Sequence, residues 1–97
     1  MSVELVTGTF EPHIGSHFSA SPTVQGEPLE LELVSCVESP YALPDHPAFS
    51  LFFLAPDDGY LPQQIFTVAH DALGGFELFL VPLGPLDGRM RYEAVIN

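Results

Sequence analysis

Ten prolines and eight glycines cut this 97-residue chain into short pieces. Apart from Pro82, they fall between apolar segments rather than inside them. A helix of ordinary length needs a longer stretch free of proline. The spacing therefore predicts short strands joined by turns. No segment repeats, and no tract is of low complexity.

The clearest strand is PLELELVSCVE at 28–38, where Leu29, Leu31, Leu33 and Val37 alternate with Glu30, Glu32 and Glu38. A period of two with acids on the other side predicts a half-buried strand with one wet face. A helix would scatter the same leucines around its circumference. FSLFFL at 49–54, QQIFTVAH at 63–70, FELFLV at 76–81 and RMRYEAVI at 89–96 read as further strands. Between them, SPYALPDHPA at 39–48 is a stiff loop, APDDGYLP a turn region and DALGG a five-residue hairpin connection. PLGPLDG is a second turn segment, ending in Asp87-Gly88. Near the start, Thr9 is a candidate cap for one helical turn and Gly15 a candidate left-handed stop, with Pro12 keeping the turn short. Residues 16–21 then form a strand carrying Phe18 and Ala20. The expected fold is a single all-β domain over 1–97. It is a small barrel or sandwich of five to six mainly antiparallel strands with one short N-terminal helical turn. The C-terminal third reads as a three-strand meander.

Charge removes several functions. Thirteen Asp and Glu stand against two cations, for a net charge of −11. Arg89 and Arg91 cannot neutralise a phosphate backbone, so no nucleic-acid partner is expected. An anionic membrane surface would be repelled, and no run approaches the roughly 18 apolar residues of a spanning helix. The opening MSVELVTGTF lacks a basic region and a long apolar run, so no secretory signal is expected. The single cysteine, Cys36, forms no disulfide within the chain. Synthesis in the cytoplasm follows as the expectation; a single cysteine fits a cytosolic protein or one exported without disulfides, and the final location is open.

Two strands are apolar on both faces. Phe49, Leu51 and Phe53 oppose Phe52 and Leu54, and Phe76, Leu78 and Leu80 oppose Phe79 and Val81. In the last strand Met90, Tyr92, Ala94 and Ile96 share one face, and Arg91, Glu93 and Val95 the other. A chain this short builds about two layers. Either the helical turn and the 39–48 loop lie over Phe52, Leu54, Phe79 and Val81, or those four residues form a docking patch. The patch would take another protein or a second copy. An alternative is a small ligand-binding barrel whose interior is lined by Phe49, Phe53, Phe66 and Tyr92.

Catalytic signals are weak. His13 and His17 are four apart, but Pro12 and Gly15 break the helix that would align them as metal ligands, and Glu11 adds little. Cys36 has no recognisable partner histidine in the sequence, and the serines lack a G-x-S-x-G elbow. Neither glycine-rich nucleotide motif is present. Asp57-Asp58-Gly59 lacks the later glutamate of a calcium loop and reads as a turn. An enzyme would need a cleft where His70 or His13 meets carboxylates or Cys36. No catalytic, metal or cofactor residue is assigned, and a non-enzymatic role is expected.

The C-terminal third carries three specific runs: His70-Asp71-Ala72-Leu73-Gly74, Glu77 through Pro85 reading ELFLVPLGP, and Met90 through Asn97 reading MRYEAVIN. They resemble the motifs H-x-A-L-G, E-L-F-L-V-P-L-G-P and M-R-Y-E-A-V-F-N of a family of small, uncharacterised bacterial proteins. Phe10-x-Pro12-x-x-Gly15 and the Leu29–Val34 strand match the layout of that family too, so the resemblance spans most of the chain. Ile96 stands where phenylalanine is more usual. Members are often encoded beside phage-tail-collar proteins, the fibre-like bacterial proteins once called microcystin-dependent. The resemblance implies a structural or accessory role near such fibres and no catalytic residues. Pro82 and Pro85 are expected to cap a sheet edge and fix the hairpin exit.

Overall fold

The computed structural model describes residues 4–23 and 26–97. Part of the opening segment read for a secretory signal, residues 1–3, lies outside them. A helical turn, α1 (Thr7–Phe10), runs into a 3-10 turn at Glu11–His13. Six strands follow: β1 (His17–Pro22), β2 (Leu29–Glu38), β3 (Phe49–Leu54), β4 (Gln64–His70), β5 (Gly74–Leu86) and β6 (Arg89–Ile96). Every neighbouring pair is antiparallel, and the strands close into a barrel in the order β1-β2-β3-β6-β5-β4. Two meanders, β1–β3 and β4–β6, are thus sealed along β3–β6 and β1–β4.

Alternation decides the inside. Phe18 opposite Leu31, Leu33 opposite Phe53, Phe53 opposite Tyr92 and Phe66 opposite Leu78 all point inward and are buried. Their rings meet, with Phe18 5.5 Å from Phe53 and Phe66 6.3 Å from Tyr92 between centroids. Carboxylates such as Glu30, Glu77 and Glu93 point out, the reverse of a barrel that faces lipid. Among the described residues no helix is long and apolar enough to cross a membrane.

Each barrel end is closed by side chains. Phe10 enters one end, its ring 6.1 Å from Phe49 and 5.8 Å from Phe76. Gly15, at φ +94, turns the chain so that its N–H donates to the Leu33 carbonyl at 2.7 Å. No side chain caps α1. Val6 holds the N-cap position and Thr9 lies within the turn, not at its start. At the opposite end the β3–β4 connection crosses the opening. The Leu61 N–H donates to the Tyr92 hydroxyl at 3.1 Å, and burial raises the pKa of that phenol.

Three local expectations give way to β-bulges and turn chemistry. An extra residue at Val34 shifts the β2–β3 register, so Cys36 turns inward against Leu51 and Val37 turns out to solvent. The alternation that put Val37 with the inward leucines therefore fails beyond Leu33. The expected turn PLGPLDG is mostly strand: β5 runs on to Leu86, with Pro82 opposite Tyr92 and Pro85 opposite Met90. A bulge between Pro82 and Gly84, the latter at φ +104, absorbs the missing proline donor. The prolines therefore cap no edge, because a closed barrel has none. The β5–β6 reversal is the dipeptide Asp87-Gly88, both at positive φ, as a tight hairpin turn requires. The β4–β5 connection is shorter than expected, residues 71–73, because Gly74 already belongs to β5.

Candidate functional site

The outer apolar residues keep their predicted orientation. Phe52 and Leu54 on β3 and Val81 on β5 are half-buried on the outside of the wall, and Phe79 is 50% exposed. One segment considered as their cover goes elsewhere. The helical turn plugs the barrel end through Phe10. The 39–48 loop closes on itself through Ser39 N–H to the Ala48 carbonyl and a Leu43–His46 bridge.

Between β2 and β5 the outer wall carries a groove of about 250 Å³, lined by Val34, Ser35, Phe52, Leu54, Leu86 and Arg91. Register explains the grouping. Ser35, Phe52, Glu93 and Val81 form one row across four strands, and Leu54, Arg91 and Gly84 lie in the next. The β2 bulge pushes Val34 into the gap, and the β5 bulge lies on the opposite side. Beyond it Phe79 faces Ile65, itself 47% exposed.

The only two cations of the chain lie at this face and have opposite fates. Arg89 is committed to the fold. Its Nε donates to the Ala55 carbonyl at 2.8 Å and its Nη1 to the Glu32 carboxylate at 3.1 Å. The Arg91 side chain makes no hydrogen bond or ion pair with any described residue, although its Nε is buried. The neighbouring carboxylates are engaged, Glu32 by Arg89 and Glu93 by the Ser50 hydroxyl at 2.8 Å. The sequence alone does not separate the two arginines, since only cross-strand register shows which one is used. Arg89→Ala should lower stability by about 1–3 kcal/mol, because it strands the half-buried Glu32. Arg91→Met should leave the melting temperature level or raise it. Thermal unfolding of both variants checks the contrast.

The histidines gather only in part. The His13 and His70 rings lie 4.7 Å apart, and Phe18 packs 4.4 Å from His70. Ser16 Oγ sits 2.9 Å from His70 Nε2 and 2.6 Å from the His13 carbonyl. This pair resembles a nucleophile and its base, but the protons run the wrong way. The Ala72 N–H donates to His70 Nδ1 at 3.0 Å, so the ring proton sits on Nε2 and is donated to Ser16. Ser16 in turn donates to the His13 carbonyl. The ring has no lone pair facing the serine, and the trio ties the N-terminal plug to the β4–β5 turn. His17 is apart, 3.5 Å from Glu30, and His46 lies in the 39–48 loop. Cys36 faces the core rim, and burial, then Glu11 and Glu38, raise its thiol pKa, which disfavours a thiolate. Among the described residues no group of three or more His, Cys, Asp or Glu could hold a metal ion.

Burial, then the adjacent His13, lower the His70 pKa below 6.5, against a smaller opposing pull from Asp71. The unfolded chain therefore takes up this proton first as pH falls. The stability that neutral His70 contributes is full above about pH 6.5 and is lost as pH drops toward the folded-state value. His70→Asn keeps an acceptor for the Ala72 N–H but does not titrate. Between pH 7 and 5 the wild-type melting temperature should fall relative to that of His70→Asn. Parallel curves would refute the assignment.

Phe49, Phe53, Phe66 and Tyr92, the residues considered as the lining of an interior ligand site, are packed core, each no more than 1% exposed. Compared with known proteins, residues 5–96 match the family model described as Domain of unknown function (DUF6916). No curated protein and no solved structure matches the chain. The match along nearly its whole length assigns this chain to the DUF6916 family.

Proposed function

We propose that this chain is a non-enzymatic structural or adaptor subunit that docks a protein through the outer face of β3, β6 and β5. Phe52, Leu54, Phe79 and Val81 supply the apolar contact. The observation that carries this reading is the apolar groove beside Phe52 and Leu54, continued by the exposed pair Phe79 and Ile65. Barrel walls facing only water seldom gather large side chains in this way. The surrounding acids keep the free form soluble and select against unsuitable partners. The family resemblance points to a fibre-like, tail-collar protein as the partner, with packing between copies as the other route to the same surface.

Light scattering tests this directly. The chain alone, and co-expressed with a tail-collar protein, should yield a defined complex or oligomer heavier than the 10.6 kDa monomer. A monomer that ignores the candidate would count against the proposal.

A further inference from the structure

We infer that the groove reads a carboxylate: the partner segment it takes carries an Asp or Glu next to a large apolar side chain, and Arg91 binds the acid. This inference rests on the docking surface proposed above and names the chemistry of what enters it. Three observations converge. Arg91 lines the groove with a buried Nε that has no acceptor among the described residues. A buried donor without a partner is unfavourable by itself and rare in native proteins. Both carboxylates nearest in the register are already held, Glu32 by Arg89 and Glu93 by Ser50. Thus in a chain of net charge −11, the one arginine that meets no acid among the described residues opens onto the apolar hollow.

The remaining lining fixes the rest of the occupant. Phe52, Leu54, Val34 and Leu86 offer an apolar wall for a side chain such as Leu or Phe. Ser35 adds a hydroxyl across β3 from Arg91, within the same groove. A guanidinium presents a planar fork suited to a carboxylate, and it binds more strongly where neighbouring walls exclude water. The hollow, at about 250 Å³, falls below the roughly 300–1,000 Å³ of small-molecule sites. One side chain and its neighbouring acid suit it better than a whole ligand. One arginine without an acid partner among the described residues matches one carboxylate, whereas a nucleic acid or an anionic membrane would meet net repulsion.

The test is selection of a displayed library of random dodecapeptides on the full chain, followed by fluorescence anisotropy with the enriched peptides. The inference expects enriched sequences to share Asp or Glu beside Leu, Ile or Phe. Arg91→Gln should weaken them about 10- to 100-fold while the melting temperature holds. Arg91→Lys should recover only part of the loss. Enriched peptides that lack an acid, or that bind Arg91→Gln as well as wild type, overturn the inference. If such peptides still lose binding to Phe79→Glu, the face docks protein without reading a carboxylate, and the adaptor reading stands. If neither substitution matters, the adaptor reading falls as well. Failure to enrich any sequence also overturns the carboxylate inference, and the light-scattering mass then decides the adaptor reading separately.

Discussion

Phe10→Ala should strongly destabilise this domain. The ring of Phe10 is fully buried at the mouth of the barrel, against Phe49 and Phe76. It is the only buried residue of α1, so nothing else on that turn anchors it. Removing a buried phenylalanine costs about 3–5 kcal/mol in lost transfer energy and the cavity left behind. A small domain has a total stability of about 5–15 kcal/mol. For a chain of this length the melting temperature should fall by about 15–30 °C. The damage should extend past the plug. Without Phe10 the Gly15–Leu33 bond and the Ser16–His70 contact lose their anchor, and the barrel mouth admits water. Phe10→Met, which keeps most of the volume, should retain most of the stability. Calorimetry of the two variants separates a plug from a loosely attached segment. A melting temperature for Phe10→Ala within a few degrees of wild type would refute the plug.

The second large effect concerns association rather than folding. Phe79→Glu should abolish docking while unfolding stays cooperative. Phe79 is half exposed on the outer face, and its main cross-strand contact is Ile65. Losing such a pair costs about 0.2–1 kcal/mol, too little to unfold the barrel. At an interface the same ring is an anchor, and its removal with an added charge should cost at least about 2 kcal/mol, roughly thirtyfold in affinity. Mass measurement and thermal unfolding of one preparation give both readouts. If Phe79→Glu instead unfolds the domain, the ring is part of the core and the docking surface is wrong.

Much of this fold is legible in the residues, and the failures have physical causes. The FSLFFL segment alternates cleanly, so Phe49, Leu51 and Phe53 inside and Phe52 and Leu54 outside could be read directly. The last strand behaves in the same way, with Met90, Tyr92 and Ala94 inward. Val37 falls on the wrong face because a period-two reading has no means of inserting the extra residue at Val34. Pattern alone ends β5 at Val81, because proline normally ends a strand. Pro82 and Pro85 survive there because a bulge and Gly84 relax the ladder between them. Barrel and sandwich stayed unresolved because closure depends on the β1–β4 and β3–β6 seams, which join residues far apart in sequence. Phe10 gave no sign that it fills the barrel mouth, since a single aromatic on a helical turn has no periodicity to read.

The candidate site was legible in its apolar part alone. Phe52, Leu54, Phe79 and Val81 follow from alternation, whereas the groove needs two bulges and a register that pattern cannot supply. Arg91 is the clearest example. Arg89 and Arg91 are two residues apart and chemically identical, yet one side chain is spent on Ala55 and Glu32 and the other finds no partner among the described residues. Strand alternation puts Arg91 on the outer face, but only the fold brings Glu32 to Arg89 and Ser50 to Glu93.

Hydrogen–deuterium exchange of the chain, compared between dilute monomer and assembled or fibre-bound states, tests the docking surface most directly. Protection on association should concentrate in β3 and β6 and in β5 from Phe79 onward, with the 39–48 loop unchanged. Protection confined to that loop or to the N-terminal plug, with β3, β5 and β6 unaltered, would contradict the account.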